Sequence, residues 1–168
     1  MNLDSAMEIH RATVLPEWID GNGHMNVAYY VLAFDQALDR FCAPPIDIGW
    51  DYAHRTDHST FVLEMHVTYL REVVAGDPLL FTLQVLDLDA KRLHHFMRMY
   101  HRDQGYLAAT SEQVMLHVSL ASRRSAPWPV AAAKRLGRLF ETHKGLPRPQ
   151  QAGHAIGLGP TDRKAKRA

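Results

Sequence analysis

The residues best suited to chemistry lie close together near the start of the chain, in the run Asp20-Gly21-Asn22-Gly23-His24-Met25-Asn26. It holds a carboxylate able to act as base or nucleophile, an imidazole, and a side-chain amide. Gly21 and Gly23 bracket Asn22, so the run is a loop. By itself an Asp before Gly-Asn-Gly is a turn residue. Its weight comes from what flanks it, since Asn26 is a helix N-cap type and an apolar, periodic segment begins immediately after it.

The flanking periodicity says which elements hold this loop. Residues 7–17 predict a strand that ends at Pro16. Residues 27–42 predict a helix, with Tyr30, Phe34, Ala37 and Phe41 at helical spacing and Asp35, Asp39 and Arg40 off that line. From Val27 to Phe34 the helix is apolar or aromatic nearly all round, which predicts burial. Pro44 and Pro45 end it. After an irregular stretch, 46–57, four strands follow. In 58–71, Phe61, Leu63, Met65, Val67 and Tyr69 are expected on one face and Glu64, His66 and Thr68 on the other. Strands 79–88 and 92–102 pair as a hairpin through a tight turn, and 106–120 forms a long last strand. A final helix covers about 129–142. Short turns imply antiparallel neighbours, and one sheet wrapped around one apolar helix buries both economically. The expected class is α+β: an antiparallel sheet around a long central helix, plus a C-terminal helix and tail.

Composition narrows the function classes. The chain has 168 residues, 46% of them hydrophobic and 22% charged, which suits one domain with a real core. We place that domain at 1–144 and an irregular basic extension at 145–168. A net charge of +1 points to neither nucleic acid nor an acidic membrane surface. Cys42 is the only cysteine, so no internal disulfide is expected. No run reaches the ~18 apolar residues of a membrane span, and Met1 to Met7 lack the pattern of a signal peptide. The expected location is the cytoplasm.

Asp20-Gly-Asn-Gly-His24-Met-Asn26, followed by Tyr30 and Phe34-Asp35, resembles the opening signature of the 4-hydroxybenzoyl-CoA thioesterase-type hotdog family. Tyr69-Leu70-Arg71-Glu72-Val73 with Gly76-Asp77, Lys91-Arg92-Leu93 and Ala109-Thr110-Ser111-Glu112 match further along, so the resemblance covers roughly 7–120. Within the family, the run Thr60 to Pro78, the stretch Asp89 to His94 and Leu146-Pro-Arg-Pro-Gln150 are similar to the betainyl-CoA thioesterases of bacterial carnitine degradation. The resemblance implies the hotdog fold, hydrolysis of an acyl-CoA thioester without a cofactor, and pockets at the boundary of a homodimer or tetramer. It implies that Asp20 is the catalytic carboxylate, as general base on water or as nucleophile. The oxyanion donors would be backbone N–H groups at the helix tip, here roughly Gly23, His24, Met25 and Asn26. His24 would brace the loop or donate to the thioester, and Asn26 would cap the helix, act in the chemistry, or both.

A cationic acyl group needs aromatic rings and an acid. The candidates are Trp18, Tyr29, Tyr30, Trp50 and Tyr52, with Glu64 or Asp35 as the carboxylate, against the ordinary reading of such aromatics as core packing. Lys91, Arg92 and Arg124, with Arg123 beside it, are candidates for the CoA phosphates. No metal site is expected. His94 and His95 point to opposite faces of a strand, and His95 and His101 are about 20 Å apart along it. Two rival functions remain open on the same fold: an acyl-thioester dehydratase or hydratase, which wants a histidine inside the helix where this chain has none, and a non-catalytic acyl-CoA-binding module.

Overall fold

The computed structural model describes residues 6–158. Its order is β1 (Met7–Thr13), a 3-10 turn (Pro16–Trp18), α1 (Val27–Cys42), α2 (Trp50–Thr56), β2 (His58–Tyr69), β3 (Pro78–Leu88), β4 (Arg92–His101), β5 (Leu107–Ser119), β6 (Arg124–Ser125) and α3 (Val130–His143). The sheet runs β1-β3-β4-β5-β2, all neighbours antiparallel, with β6 added to β5. Directly opposed residues of neighbouring strands share a face. Phe81, Met99 and Ala109 therefore form one row beneath α1, and Leu83 and Met97 the next. They pack with Tyr30, Phe34, Ala37 and Phe41 of the helix in one core. This is the hotdog arrangement.

Four details differ from the sequence reading. The first strand stops at Thr13, because Pro16 opens a 3-10 turn instead of ending a strand. The stretch 46–57 contains α2, a seven-residue helix that Asp57 ends in a left-handed conformation. The front of α1 is not covered all round, since Val27 is 59% and Leu32 39% exposed. In β2 the register slips between Val62, opposite Met115, and Glu64, opposite Val114. That bulge absorbs one residue and inverts the alternation. Val62, and not Phe61 or Leu63, shares the inner face with Met65, while Phe61, Val62 and Leu63 all stay exposed.

The two sheet edges are treated differently. Where β1 runs out, α3 takes over along β3, and the Val85 N–H donates to His143 Nδ1 at 3.0 Å. β2 is an uncovered edge along its whole length, and Tyr69 and Leu70 at its end are exposed too. Residues 145–158 form no helix or strand. They are held to the outer face of the sheet, away from α1, by the Gly153 N–H on Glu112 and the Pro147 carbonyl on Gln84.

Candidate active site

The loop between the 3-10 turn and α1 is a miniature hairpin. The Asp20 N–H donates to the His24 carbonyl at 3.1 Å and the Asn26 N–H to the Trp18 carbonyl at 2.9 Å, around an Ile19–Met25 bridge. The Gly23 N–H closes the turn on the Asp20 carbonyl at 3.0 Å, with Gly23 at φ 84°, where a side chain would be strained. Met25 is buried and anchors the loop in the core.

Asp20 is half-buried. One carboxylate oxygen accepts the Asn22 N–H at 2.8 Å and the other faces the Asn26 side-chain amide at 3.4 Å. Asn26 is the N-cap of α1, with its Oδ1 accepting the Ala28 N–H at 3.0 Å. One side chain thus fixes both the helix tip and the carboxylate beside it. His24 is half-buried, and its Nδ1 lies 3.3 Å from the Met25 carbonyl.

The oxyanion donors need correcting. The N–H groups of Gly23, Met25 and Asn26 already donate, to Asp20, Val73 and Trp18 respectively. The hairpin and its anchor at Val73 consume them, so they are not free to receive a carbonyl oxygen. Among the described residues, no protein acceptor takes the N–H of His24 or of Val27. Val27 is the first helical residue, where the backbone N–H has no intrahelical partner. The sequence carried that signal, because Val27 follows the cap, but the expected range stopped one residue short.

The aromatic candidates separate by position. Trp18 is buried and stacks on half-buried Tyr29, with centroids 5.7 Å apart, beside the loop. Tyr30 is buried, with its ring edge-to-face on exposed Tyr69 at 5.2 Å. Tyr52 is core, its hydroxyl 2.9 Å from His117 Nε2 at the other end of the sheet. Trp50 is 68% exposed and bonded to Asp39 Oδ2 at 3.2 Å. It lines a 760 Å³ groove between α1, α2 and β2 with Asp35, Asp39 and Asp57, and no lysine or arginine lines that groove. Burial, and then Asp39, pushes the Asp35 carboxyl above the usual carboxylate range.

Glu64 belongs elsewhere. It lies on the outer face, as the alternation predicted, in a 490 Å³ cavity with His66, His94, Glu112, Arg148 and His154, on the side of the sheet opposite α1. The basic candidates lie at the wrong end of their own sheet. The Asp20 loop is bonded, through the Met25 N–H and the Val73 carbonyl, to the turn that precedes Pro78, whereas Lys91, Arg92 and Arg124 sit at the start of β4 and beyond β5, about 30 Å along the strands. Lys91 Nζ reaches Ser125 at 3.2 Å, Arg92 pairs with Asp89 at 2.6 Å, and Arg124 is exposed. Asp20 lines neither the outer-face cavity nor the groove beside Trp50. Cys42 is no nucleophile here, since burial pushes its thiol up to about 12. Among the described residues, no cluster of His, Cys, Asp and Glu is arranged to hold a metal, and no helix is long and apolar enough to cross a membrane.

Sequence signals missed a second group at this end of the sheet. Tyr69, Arg71, Glu72, Val73, Asp77 and Tyr106 gather beside the loop, with the Arg71 guanidinium 3.9 Å above the Tyr106 ring and the Tyr106 hydroxyl on the Glu72 carbonyl at 3.0 Å. Most of them stand in the 69–77 segment that carried the family resemblance without a role attached.

Comparison with known proteins agrees with the geometry. Residues 14–136 match the model of the thioesterase-like superfamily. The chain is 40% identical over 160 residues to a betainyl-CoA thioesterase of Pseudomonas aeruginosa, covering 94% of this chain and 99% of that protein. It is 36% identical over 141 residues to an L-carnitine dehydrogenase/betainyl-CoA thioesterase of Rhizobium meliloti, covering 83% of this chain and 28% of that longer protein. A hypothetical protein of Staphylococcus aureus, solved in complex with CoA, superposes with a TM-score of 0.82 at 31% identity, covering 94% of this chain and 99% of that one. With a carboxylate held at a capped helix tip beside an unclaimed backbone N–H, the chain belongs to the thioesterase-like superfamily and is an acyl-CoA thioesterase of the hotdog fold.

Proposed function

We propose that this thioesterase hydrolyses betainyl-CoA, with Asp20 as its catalytic carboxylate and the Val27 N–H as the principal oxyanion donor. The observation that carries the mechanism is the helix tip: Asn26 both caps α1 and contacts the Asp20 carboxylate, and among the described residues no protein acceptor takes the next N–H, that of Val27. Asp20 takes a proton from water that attacks the thioester carbon, or attacks that carbon itself. Negative charge gathers on the carbonyl oxygen as the tetrahedral intermediate forms, and the helix-tip amide stabilises it. The C–S bond then breaks, and the thiolate leaves and is protonated. The water route leaves the free carboxylic acid directly, whereas direct attack leaves an acyl anhydride on Asp20 that a water molecule hydrolyses to the free acid, regenerating the carboxylate. Water is the only co-reactant, so no cofactor is required.

The active unit is a homodimer. Among the described residues β2 is a long uncovered edge with Phe61, Val62, Leu63, Tyr69 and Leu70 exposed, and exposed Val27 of α1 stands beside it, its carbonyl 3.5 Å from the Tyr69 hydroxyl. Adding a second β2 antiparallel across a two-fold axis covers that edge. It also brings the His58 end of one strand beside the Tyr69 end of the other. The acidic groove of one subunit then lies against the Asp20 loop of its partner, which supports an acyl site shared between subunits. Lys91 and Arg124 also move to the Asp20 end of the partner, where CoA phosphates could reach them. The same two-fold unit can pair again into a tetramer.

The groove supports a cationic acyl group. Asp35 and Asp39 are carboxylates crowded together, with Trp50 as an aromatic wall and, apart from His54, no basic residue in the lining among the described residues. A trimethylammonium satisfies both features. The identity to a betainyl-CoA thioesterase over nearly its whole length favours the same substrate. The location we assign is the cytoplasm, where CoA thioesters are made and used. Betainyl-CoA is tested against tert-butylacetyl-CoA, its neutral isostere, by thiol release. At least about tenfold higher kcat/KM for betainyl-CoA is expected, a difference of about 1.4 kcal/mol in transition-state stabilisation. Equal or better turnover of the neutral compound would rule out a cation site.

A further inference from the structure

We infer that Asp77, backed by His101, is a positioning residue that sets the geometry of the catalytic loop; the inference rests on the catalytic role proposed for Asp20. A two-stranded hairpin as small as residues 18–26 is not stable alone. Its internal bonds shape it but do not place it against the helix tip. Two backbone connections do that, and both run to the same turn, residues 73–77.

The chain enters the loop from Val14. The Val14 N–H donates to the Asp77 carbonyl at 3.0 Å, and the Gly76 N–H returns a bond to the Val14 carbonyl at 2.9 Å. The chain leaves the loop through Met25, whose N–H donates to the Val73 carbonyl at 2.9 Å. Val73 is buried, and its own N–H bonds to the Tyr30 hydroxyl, partly offsetting the upward push that burial gives that phenol. Entry, exit and first helical turn therefore share one anchor.

That turn is closed by Asp77. Its N–H donates to the Val74 carbonyl at 3.1 Å, and its Oδ2 accepts the Val74 N–H at 2.9 Å. Gly76, at φ 87°, permits the tight reversal between them. The second carboxylate oxygen, Oδ1, lies 3.4 Å from His101 Nε2. His101 is buried, its Nδ1 accepts the Gln104 N–H at 3.2 Å, and its Nε2 stands 3.4 Å from both Asp77 Oδ1 and the Gln104 side-chain amide nitrogen. Asp77 thus ties the β4–β5 turn to the anchor of the catalytic loop without touching the reacting atoms. A shift of a fraction of an ångström there displaces Asp20 relative to the Val27 N–H, and such misplacement lowers turnover more than affinity.

The test compares Asp77→Ala, Asp77→Asn and His101→Gln with the parent, using thiol release for kcat and KM and circular dichroism for the fold. Asp77→Ala is expected to lower kcat about tenfold with KM within about twofold. Asp77→Asn keeps an oxygen for the Val74 N–H and should restore most of that loss. His101→Gln, which removes only the outer support, should lower kcat about threefold on the same pattern. Parental kcat in Asp77→Ala overturns the inference, as does a loss in which kcat, KM and the fold change together and Asp77→Asn gives no recovery. If Asp77→Ala does not fold, His101→Gln decides, and parental kcat there overturns the inference. Asp20→Asn, measured alongside, separates the two claims. If it keeps parental turnover, the reading of Asp20 fails; if it is inactive while Asp77→Ala is unimpaired, only the brace fails.

Discussion

Two half-buried carboxylates of this molecule, Glu112 and Asp20, are held in opposite ways. Glu112, on the outer face of the sheet, is saturated. His94 Nε2 lies 2.8 Å from one oxygen, the Gly153 N–H donates to the other at 2.6 Å, and the Arg148 guanidinium stands 3.8 Å away. Its side chain is only 14% exposed, and the residues bonded to it include the C-terminal segment itself. Asp20 has one short backbone bond and one long contact to a neutral amide, and no cation pairs with it among the described residues. A base or nucleophile needs a lone pair that is oriented but not spent, and a charge that is not already neutralised. Glu112 has neither, so it fastens a strap. Asp20 has both, so it can react.

The comparison can be broken most directly at Asp20. Asp20→Asn should lower thiol release about 1000-fold, within the range for removing a positioned base, with the fold intact by circular dichroism. Activity within tenfold of the parent would make the two carboxylates equivalent. The second test is Val27→Pro. Proline is tolerated at the first helical position, and Asn26 already has the extended conformation (φ −66°, ψ 146°) that a residue before proline requires. The substitution deletes one N–H while the helix stays, so a loss of about 100-fold in kcat is expected. An unchanged kcat would move the oxyanion site away from the helix tip.

Glu112→Gln is the converse. Turnover should stay within about twofold, while urea denaturation should show a loss of about 1–3 kcal/mol as the buried strap contacts weaken. A large kcat effect with unchanged stability would place Glu112 in the chemistry. The smallest effect concerns a deeply buried imidazole. His95 is fully buried, neither ring nitrogen has a well-formed hydrogen bond among the described residues, and burial, then the neighbouring His94, drives its pKa down from 6.5 to about 3. Burial also lowers His117 and His143. The unfolded chain takes up these protons first, so stability is complete above about pH 6.5 and falls as pH drops towards 3. The slope is about 1.4 kcal/mol per pH unit for His95 alone. Urea midpoints at pH 7 and pH 5 should differ less in His95→Leu than in the parent; an equal difference would remove His95 as the cause.

Local patterns made much of the fold legible. The helix limits followed from Asn26 at one end and the paired prolines at the other, and the strand limits from turn residues. The loop was legible because its glycines, its cap and its carboxylate are adjacent in the chain. Where local pattern failed, a non-local partner had decided. The alternation of β2 could not reveal the bulge at Leu63, which exists only as register against β5, and so Phe61 and Leu63 were placed on the face of Met65, which Val62 takes instead. Lys91, Arg92 and Arg124 looked like neighbours of the site until strand direction put them at the far end.

The sequence by itself determined which side chain could do the chemistry and which helix would stand behind it, because capping, turn formation and periodicity act over a few residues. Only the tertiary structure decided which backbone N–H groups remain available, because hydrogen bonds from Met25 to Val73 and from Asn26 to Trp18 depend on where other segments come to rest. A donor has one proton to give, and whether it is already given depends on the folded chain around it.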